Sequence, residues 1–462
     1  MAPANANSTS KSSPTASSFN QRRGACYETR PPIPVILSGA KDLNHRVLPP
    51  NHLTPLRCDT LPPVCAPAHP SLLNFLSMPN LGVYVQVPFC QTKCTYCNFH
   101  TGVVSSDRFA PYIRAVQQEV ANVPTFLAQA GISVPQATVD TIYIGGGTPS
   151  LLNPELLTAL LRSIQESFPC ALQEVTLEAD PETITPEKAA QWVSSEINRI
   201  SFGSQSFVDD ELRAAGRMHR SADIYNAVPI LRNAGIHNIS FDLIAGLPRQ
   251  THHSWRHSLA EAIVLSPEHI SVYVMEIDEG SRFGLEVLNH GSRYSARELP
   301  TEEAMAGFYE LAQCELKSAG YEQYEISNWA KPGFASRHNL KYWRREPYLG
   351  FGAGAHSFSG QQRWSNLHDA AAYAAAITNG TSVIENLQSV SSQSALEEEL
   401  FLGLRQLAGI NLTRIERQYG VSLTDKVDRL ASTGMVEHQG DVLRIAPAKL
   451  NVSNEILVEL LR

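Results

Sequence analysis

Residues 81–99 read LGVYVQVPFCQTKCTYCNF. Val83 to Val87 are nearly continuous in apolar character, the pattern of a strand buried on both faces, as in parallel α/β sheets. The strand runs into Cys90, Cys94 and Cys97, spaced C-x3-C-x2-C. A structural zinc site normally pairs C-x2-C hooks and closes with a fourth ligand. Here the two gaps differ and no fourth cysteine or histidine follows closely. Soft thiolates suit an iron–sulfur cluster or zinc rather than hard cations. Three of them fit a [4Fe-4S] cluster with one iron left open for reaction. Zinc, and three structural or disulfide cysteines, are the other readings of the same spacing.

The chain around this loop is long enough for two or three domains at 462 residues. Its net charge of -8 carries no basic excess for nucleic acid. No run of 18 apolar residues predicts a transmembrane segment. Eight cysteines are too few for a disulfide scaffold, and a reducing, cytoplasmic location is expected. Residues 1–75 are Ser- and Pro-rich and predict a disordered leader. They lack the basic head and apolar run of a secretory signal.

After the cysteines, helical and strand patterns alternate. Helices are expected over about 107–131, 154–168, 186–195, 209–235 and 251–265, and strands at 139–144, 174–177, 199–202, 239–243 and 269–274. With the first strand this is a β-α unit repeated six times, which predicts a parallel sheet with helices outside and suits an incomplete (β/α)6 barrel, although the pattern alone does not separate six open strands from a closed barrel of eight. The stretches after the strands fall at the C-terminal strand ends, where α/β folds place their chemistry. Gly145-Gly146-Gly147-Thr148 allows close backbone approach, although a tight turn alone would account for it. Asp242 lies inside an apolar strand, where a carboxylate is costly unless it is paired.

The string YVQVPFCQTKCTYCNF resembles the cluster loop of radical S-adenosylmethionine (SAM) proteins. Within them it is similar to the oxygen-independent coproporphyrinogen III oxidases and their relatives, the HemW heme chaperones. The resemblance spans Leu81 to the C-terminus. It implies a [4Fe-4S] cluster on Cys90, Cys94 and Cys97, whose open iron is chelated by SAM. One electron then splits SAM into methionine and a 5'-deoxyadenosyl radical. It further implies SAM contacts from Tyr84, Gly146, Gly147, Thr148, Glu178, Gln205, Arg217 and Asp242, with Arg217 near the SAM carboxylate. Relatives usually carry His where this chain has Gln86, and Gln takes no proton near neutral pH.

Three features separate the branches, one being an extended ordered segment before the first strand in the oxidases, where this chain has its proline-rich leader. The oxidases carry a fourth cysteine two residues after the third. Phe99 holds that position here, counted with the cofactor-binding residues. The string His338-Asn339-Leu340-Lys341-Tyr342-Trp343 resembles the heme-binding segment of the chaperone branch, with His338 as the preferred heme contact. His356 is a second histidine able to act as an axial ligand. The implied function is a heme chaperone that binds heme and passes it to a heme-accepting protein, with a separate electron donor for the cluster. The alternatives are the oxidase itself and another radical SAM enzyme acting on a tetrapyrrole. Transient membrane contact stays open. The expected division is a leader over 1–75, the barrel over 76–320, a heme-motif segment and linker over 321–390, and a winged-helix-like domain over 391–462. That last module lacks the basic stripe of a DNA reader.

Overall fold

The computed structural model describes residues 80–461; the expected leader lies outside them. Six parallel strands form the centre: β1 (Asn80–Val87), β2 (Thr138–Gly146), β3 (Cys170–Ala179), β4 (Arg199–Gln205), β5 (Asn238–Ala245) and β6 (His269–Val274). They lie side by side in chain order. Consecutive addition at one edge is barrel winding, whereas a doubly wound sheet reverses direction at a switch point. The crossovers are α1 (Phe109–Gln129), α2 (Pro154–Ser167), α3 (Pro186–Ser194), α4 (Asp209–Ala214) with α5 (Ser221–Ala234), and α6 (His252–Leu265). The expected β-α alternation is therefore present.

Side-chain parity along the strands divides the fold. Val83, Val85 and Val87 of β1, with Ile142, Ile144, Val175, Leu177, Ile200, Phe202, Ile239 and Phe241, are almost wholly buried in one core with the helices. Each such side chain contributes about 1.5–3 kcal/mol by leaving water. The alternate positions are polar: Tyr84 registers with Tyr143, Glu178 with Ser201, and Asp242 with Ser271. The strands thus turn an apolar face to the helices and a hydrogen-bonding face to the other side.

Segment 321–390, expected as a heme-motif segment and linker, extends this sheet at both edges. After α7 (Arg282–Leu288) and α8 (Glu302–Ser318), β7 (Glu322–Glu325) and β8 (Asn328–Ala330) add antiparallel beyond β6. Helix α9 (Arg337–Trp343) follows. Then β9 (Tyr348–Phe351) pairs parallel with β1, and β10 (His356–Phe358), β11 (Gln362–Asn366) and β12 (Ile384–Ser389) continue antiparallel. Helix α10 (Ala370–Thr378) precedes the last of these. The result is a twelve-stranded open sheet. These added strands are three to six residues long, too short to show a hydrophobic period.

The C-terminal module begins with α11 (Ser392–Gly403). β13 (Ile410–Asn411), α12 (Leu412–Tyr419), α13 (Thr424–Ser432), β14 (Val436–Gln439), β15 (Val442–Ile445) and α14 (Ser453–Leu461) follow. Its three strands form a separate small sheet, with helices and a hairpin in the order a winged helix requires. No helix among the described residues is long and apolar enough to cross a membrane.

Candidate functional site at the C-terminal ends of the strands

The cysteine loop leaves β1 at Val87 and is pinned on several sides. Phe89–Cys90 pairs with Gly102–Val103, closing the loop on itself. Thr95 N–H donates to Ala215 O at 3.1 Å, and Phe283 N–H to Thr95 O at 2.8 Å. Cys90, Cys94 and Cys97 are all half-buried thiols. Burial pushes the Cys90 thiol up to about 11, so a metal there must displace a proton. Among the described residues, no three or more His, Cys, Asp or Glu side chains close on one point as a single zinc ion requires. A cluster whose irons each take one cysteine makes no such demand. Three thiolates on one loop, soft sulfur donors, fit an iron–sulfur cluster.

The glycine turn lies against this loop. Gly147 N–H donates to Val87 O and Thr148 N–H to Phe89 O. A Cβ at Gly147 would lie 2.3 Å from Phe89 O. Gly146 adopts φ +113°, and a Cβ there would meet the Gln86 amide at 2.5 Å. Only glycine permits this contact. Glu178 lies against Gly145, where a Cβ would meet its carboxyl at 3.0 Å, and accepts from Gly146 N–H at 2.9 Å and Tyr143 OH at 2.8 Å. Burial raises the Glu178 carboxyl to about 7 and Asp242 to about 6. Asp242 accepts from Ser201 Oγ at 3.2 Å.

Arg217 ties the site together. Its Nη1 donates to Cys94 Sγ at 3.4 Å, and its Nη2 to Gly203 O at 2.8 Å and to Asp180. Asp180 also accepts from Thr148 Oγ1 at 3.1 Å. Gln205 ends β4 at φ +63° and is 9% exposed. A non-glycine residue in the left-handed region costs about 1–3 kcal/mol and marks strain held by its surroundings. Tyr84 stacks on Tyr143 with ring centroids 6.1 Å apart. The expected set Gly146, Gly147, Thr148, Glu178, Gln205, Arg217, Asp242 and Tyr84 therefore gathers at or just inside one end of the strands. Buried carboxylates there suit a ligand bearing positive charge, and Arg217 suits a carboxylate.

Phe99 lies apart, on the outer rim and 37% exposed. His338 lies deeper, on α9, and is 1% exposed. Its Nδ1 meets Thr141 Oγ1 and its Nε2 meets Tyr342 OH, both at 2.9 Å. Glu174 caps α9 by accepting from Arg337 N–H and His338 N–H. Lys341 forms a buried ion pair with Asp140 at 2.8 Å. Both His338 ring nitrogens are engaged in these hydrogen bonds. Sequence reasoning missed Asp180, Tyr143 and Tyr96. Asp180 and Tyr143 sit two residues from Glu178 and Gly145, so strand parity was the available signal. Tyr96, between the cysteines, has its phenol pushed up by burial and by Cys94.

The chain matches the Radical SAM superfamily over residues 84–262 and the HemN C-terminal domain over residues 390–448. Heme chaperone HemW of Bacillus subtilis is 35% identical over 379 residues, 81% of this chain and 97% of that one. Heme chaperone HemW of Escherichia coli is 35% identical over 61% of this chain and 71% of its own. The structure of coproporphyrinogen III oxidase (HemN) from Escherichia coli, described as a radical SAM enzyme, is similar with a TM-score of 0.69 at 20% identity. That likeness covers 84% of this chain and 91% of that one, and at such identity it speaks for the fold.

Proposed function

The chain belongs to the HemW heme chaperone family of radical SAM proteins, and from that premise we propose that it binds heme and passes it to an acceptor protein while carrying a [4Fe-4S] cluster and SAM. The observation that carries the reading is the junction of the three-cysteine loop with the glycine–carboxylate pocket through Arg217. Cys90, Cys94 and Cys97 hold the cluster. When bound, a cluster with one iron free of protein ligands chelates SAM and supplies it with an electron.

The chain's own residues do the rest. Gly146 and Gly147 let the β2 turn close onto the loop, and Thr148 braces Asp180. Asp180 and Gly203 hold the Arg217 fork between the strand ends and Cys94, where it serves the SAM carboxylate. Glu178, Gln205 and Asp242 line the pocket with acceptors for the amine and ribose, and Tyr84 packs beneath them. Phe99 puts a ring where the oxidase branch has a thiol. Residues 76–320 serve as the barrel and 391–462 as an appended module. The leader is dispensable to both. The protein works in the cytoplasm with an electron donor, and touches membranes only in passing to a heme acceptor.

The test starts with anaerobic reconstitution, expected to give about four irons per chain. Saturating SAM should alter the electron paramagnetic resonance spectrum of the reduced cluster. Coproporphyrinogen III with SAM and reductant should yield no protoporphyrinogen above background. Its formation would instead make the chain an oxidase.

A further inference from the structure

Helix α9 is held from two sides. Toward the barrel, Glu174 caps it, Thr141 meets His338 and Asp140 pairs with Lys341. Toward the C-terminal module, Arg405, two residues past α11, lies over the Trp343 ring at 4.6 Å. Gln406 Nε2 donates to Trp343 O at 3.5 Å. Glu398 of α11 is 4% exposed and receives two guanidinium groups. Arg345, two residues past the end of α9, donates its Nε to Glu398 Oε2 at 2.9 Å. Arg363 of β11 donates Nε to Oε1 at 3.0 Å and Nη2 to Oε2 at 2.7 Å. The module is thus fastened to the residues that end α9.

This joint is neither relaxed nor saturated. Arg345 adopts φ +53°, a left-handed conformation that a non-glycine residue holds only under constraint. Trp343 Nε1, Arg345 Nη2 and Arg405 Nε are buried donors with no hydrogen-bond partner among the described residues. Buried donors in native chains are almost always paired, and an unpaired one costs stability. Three on the residues of one contact mark an arrangement that gives up hydrogen bonds. Before α9, Gly333 is at φ +87°, and a Cβ there would meet nothing within 4 Å. The helix therefore lies between two left-handed residues, and positions of that kind can absorb a large backbone rotation. Inside it, His338 is 1% exposed with both ring nitrogens hydrogen-bonded. The heme contact expected at His338 requires one of them to be released and brought to the surface.

We propose that the C-terminal module is a latch on α9: Glu398 and Arg405 hold the helix against the barrel, and undocking at this joint lets α9 turn out and offer His338 to the heme iron. This rests on the heme-chaperone reading above, with His338 as its contact, and adds the control of that site. Glu398 and Arg405 act through α9 and are positioning residues. Heme binds the unlatched state, so a weaker latch enlarges the competent fraction and tightens apparent binding.

The test is an anaerobic hemin titration of the cluster-loaded full chain in the Soret band, beside hydrogen exchange of residues 337–343. Glu398→Gln removes the charge that both arginines meet. It should bind hemin about five-fold more tightly than the unmodified chain, and its α9 amides should exchange faster before hemin is added. Arg405→Ala should move both readouts the same way, which keeps the test decisive if Glu398→Gln fails to fold. Iron content and the SAM-dependent spectrum should stay unchanged in both. Hemin should itself speed exchange of 337–343 in the unmodified chain, and His338→Gln should bind hemin more weakly. A joint that only stabilises the fold would give no gain in affinity. Hemin affinity unchanged or lowered in the variants that fold would therefore overturn the latch while leaving the chaperone reading intact. So would α9 amides that stay protected with hemin bound, or undiminished binding by His338→Gln. No saturable hemin binding by the unmodified chain would overturn the chaperone reading, and the latch with it.

Discussion

At the level of single residues, the site is a set of buried groups held ready by their neighbours. Burial lifts Glu178 from an ordinary 4.5 to about 7 and Asp242 from 3.8 to about 6. The folded chain therefore keeps protons that the unfolded chain has released. Their contribution to stability is full below about pH 4 and is lost as pH rises through 6 and 7. SAM carries a permanent sulfonium charge, which favours the ionised carboxylates. The rise in melting temperature on adding SAM to the cluster-loaded chain should therefore be larger at pH 7.5 than at pH 6. Glu178→Gln should remove much of that difference. Equal shifts at both pH values would separate these carboxylates from SAM. The sequence disclosed Asp242 because a carboxylate inside an apolar strand is conspicuous. It did not disclose the Asp180–Arg217 pair, because the two residues are 37 positions apart and only the strand ends bring them together.

Among the elements, α9 connects the most sequence signal to the least expected role. His338 lies against Thr141 and Tyr143 of β2, Lys341 pairs with Asp140, and Trp343 lies under Arg405. His338 lies 5.4 Å from Tyr143 between ring centroids, and Tyr143 in turn donates to Glu178. The helix braces the floor on which the pocket stands. Removing the imidazole would leave Thr141 and Tyr342 hydroxyls without their partner and open a cavity. His338→Ala should therefore cost about 2–4 kcal/mol of stability. A thermal melt should fall by several degrees, and an unchanged melt would deny α9 this role. The central strands were legible because each pairs an apolar run with a Gly- or acid-rich exit. β7 to β12 were not, because short edge strands take their conformation from the sheet they join. The cysteine spacing was legible for a chemical reason: two unequal gaps with no fourth ligand close by suit a cluster better than a zinc site.

For the whole molecule, the sheet makes one continuous unit of residues 80–389, since segment 321–390 extends it at both edges. The strands of 321–389 belong to the same sheet as the six barrel strands. β1 already has both neighbours, β2 and β9, from within the described residues. A chain beginning at residue 76 should therefore stay in solution and take up its full complement of iron. Loss of either, by iron assay after purification, would show that the leader has a part in folding. The six-unit barrel order was visible from the alternation of patterns. Its openness was not, because that depends on the antiparallel strands at each edge.

The central claim is that the chain carries a tetrapyrrole and does not convert it. The most direct measurement is to load the anaerobic, cluster-bearing chain with hemin, add SAM and reductant, and recover the pigment for chromatography. The account predicts one equivalent per chain, returned as unaltered heme. A chemically changed tetrapyrrole, or no saturable binding at all, would contradict it.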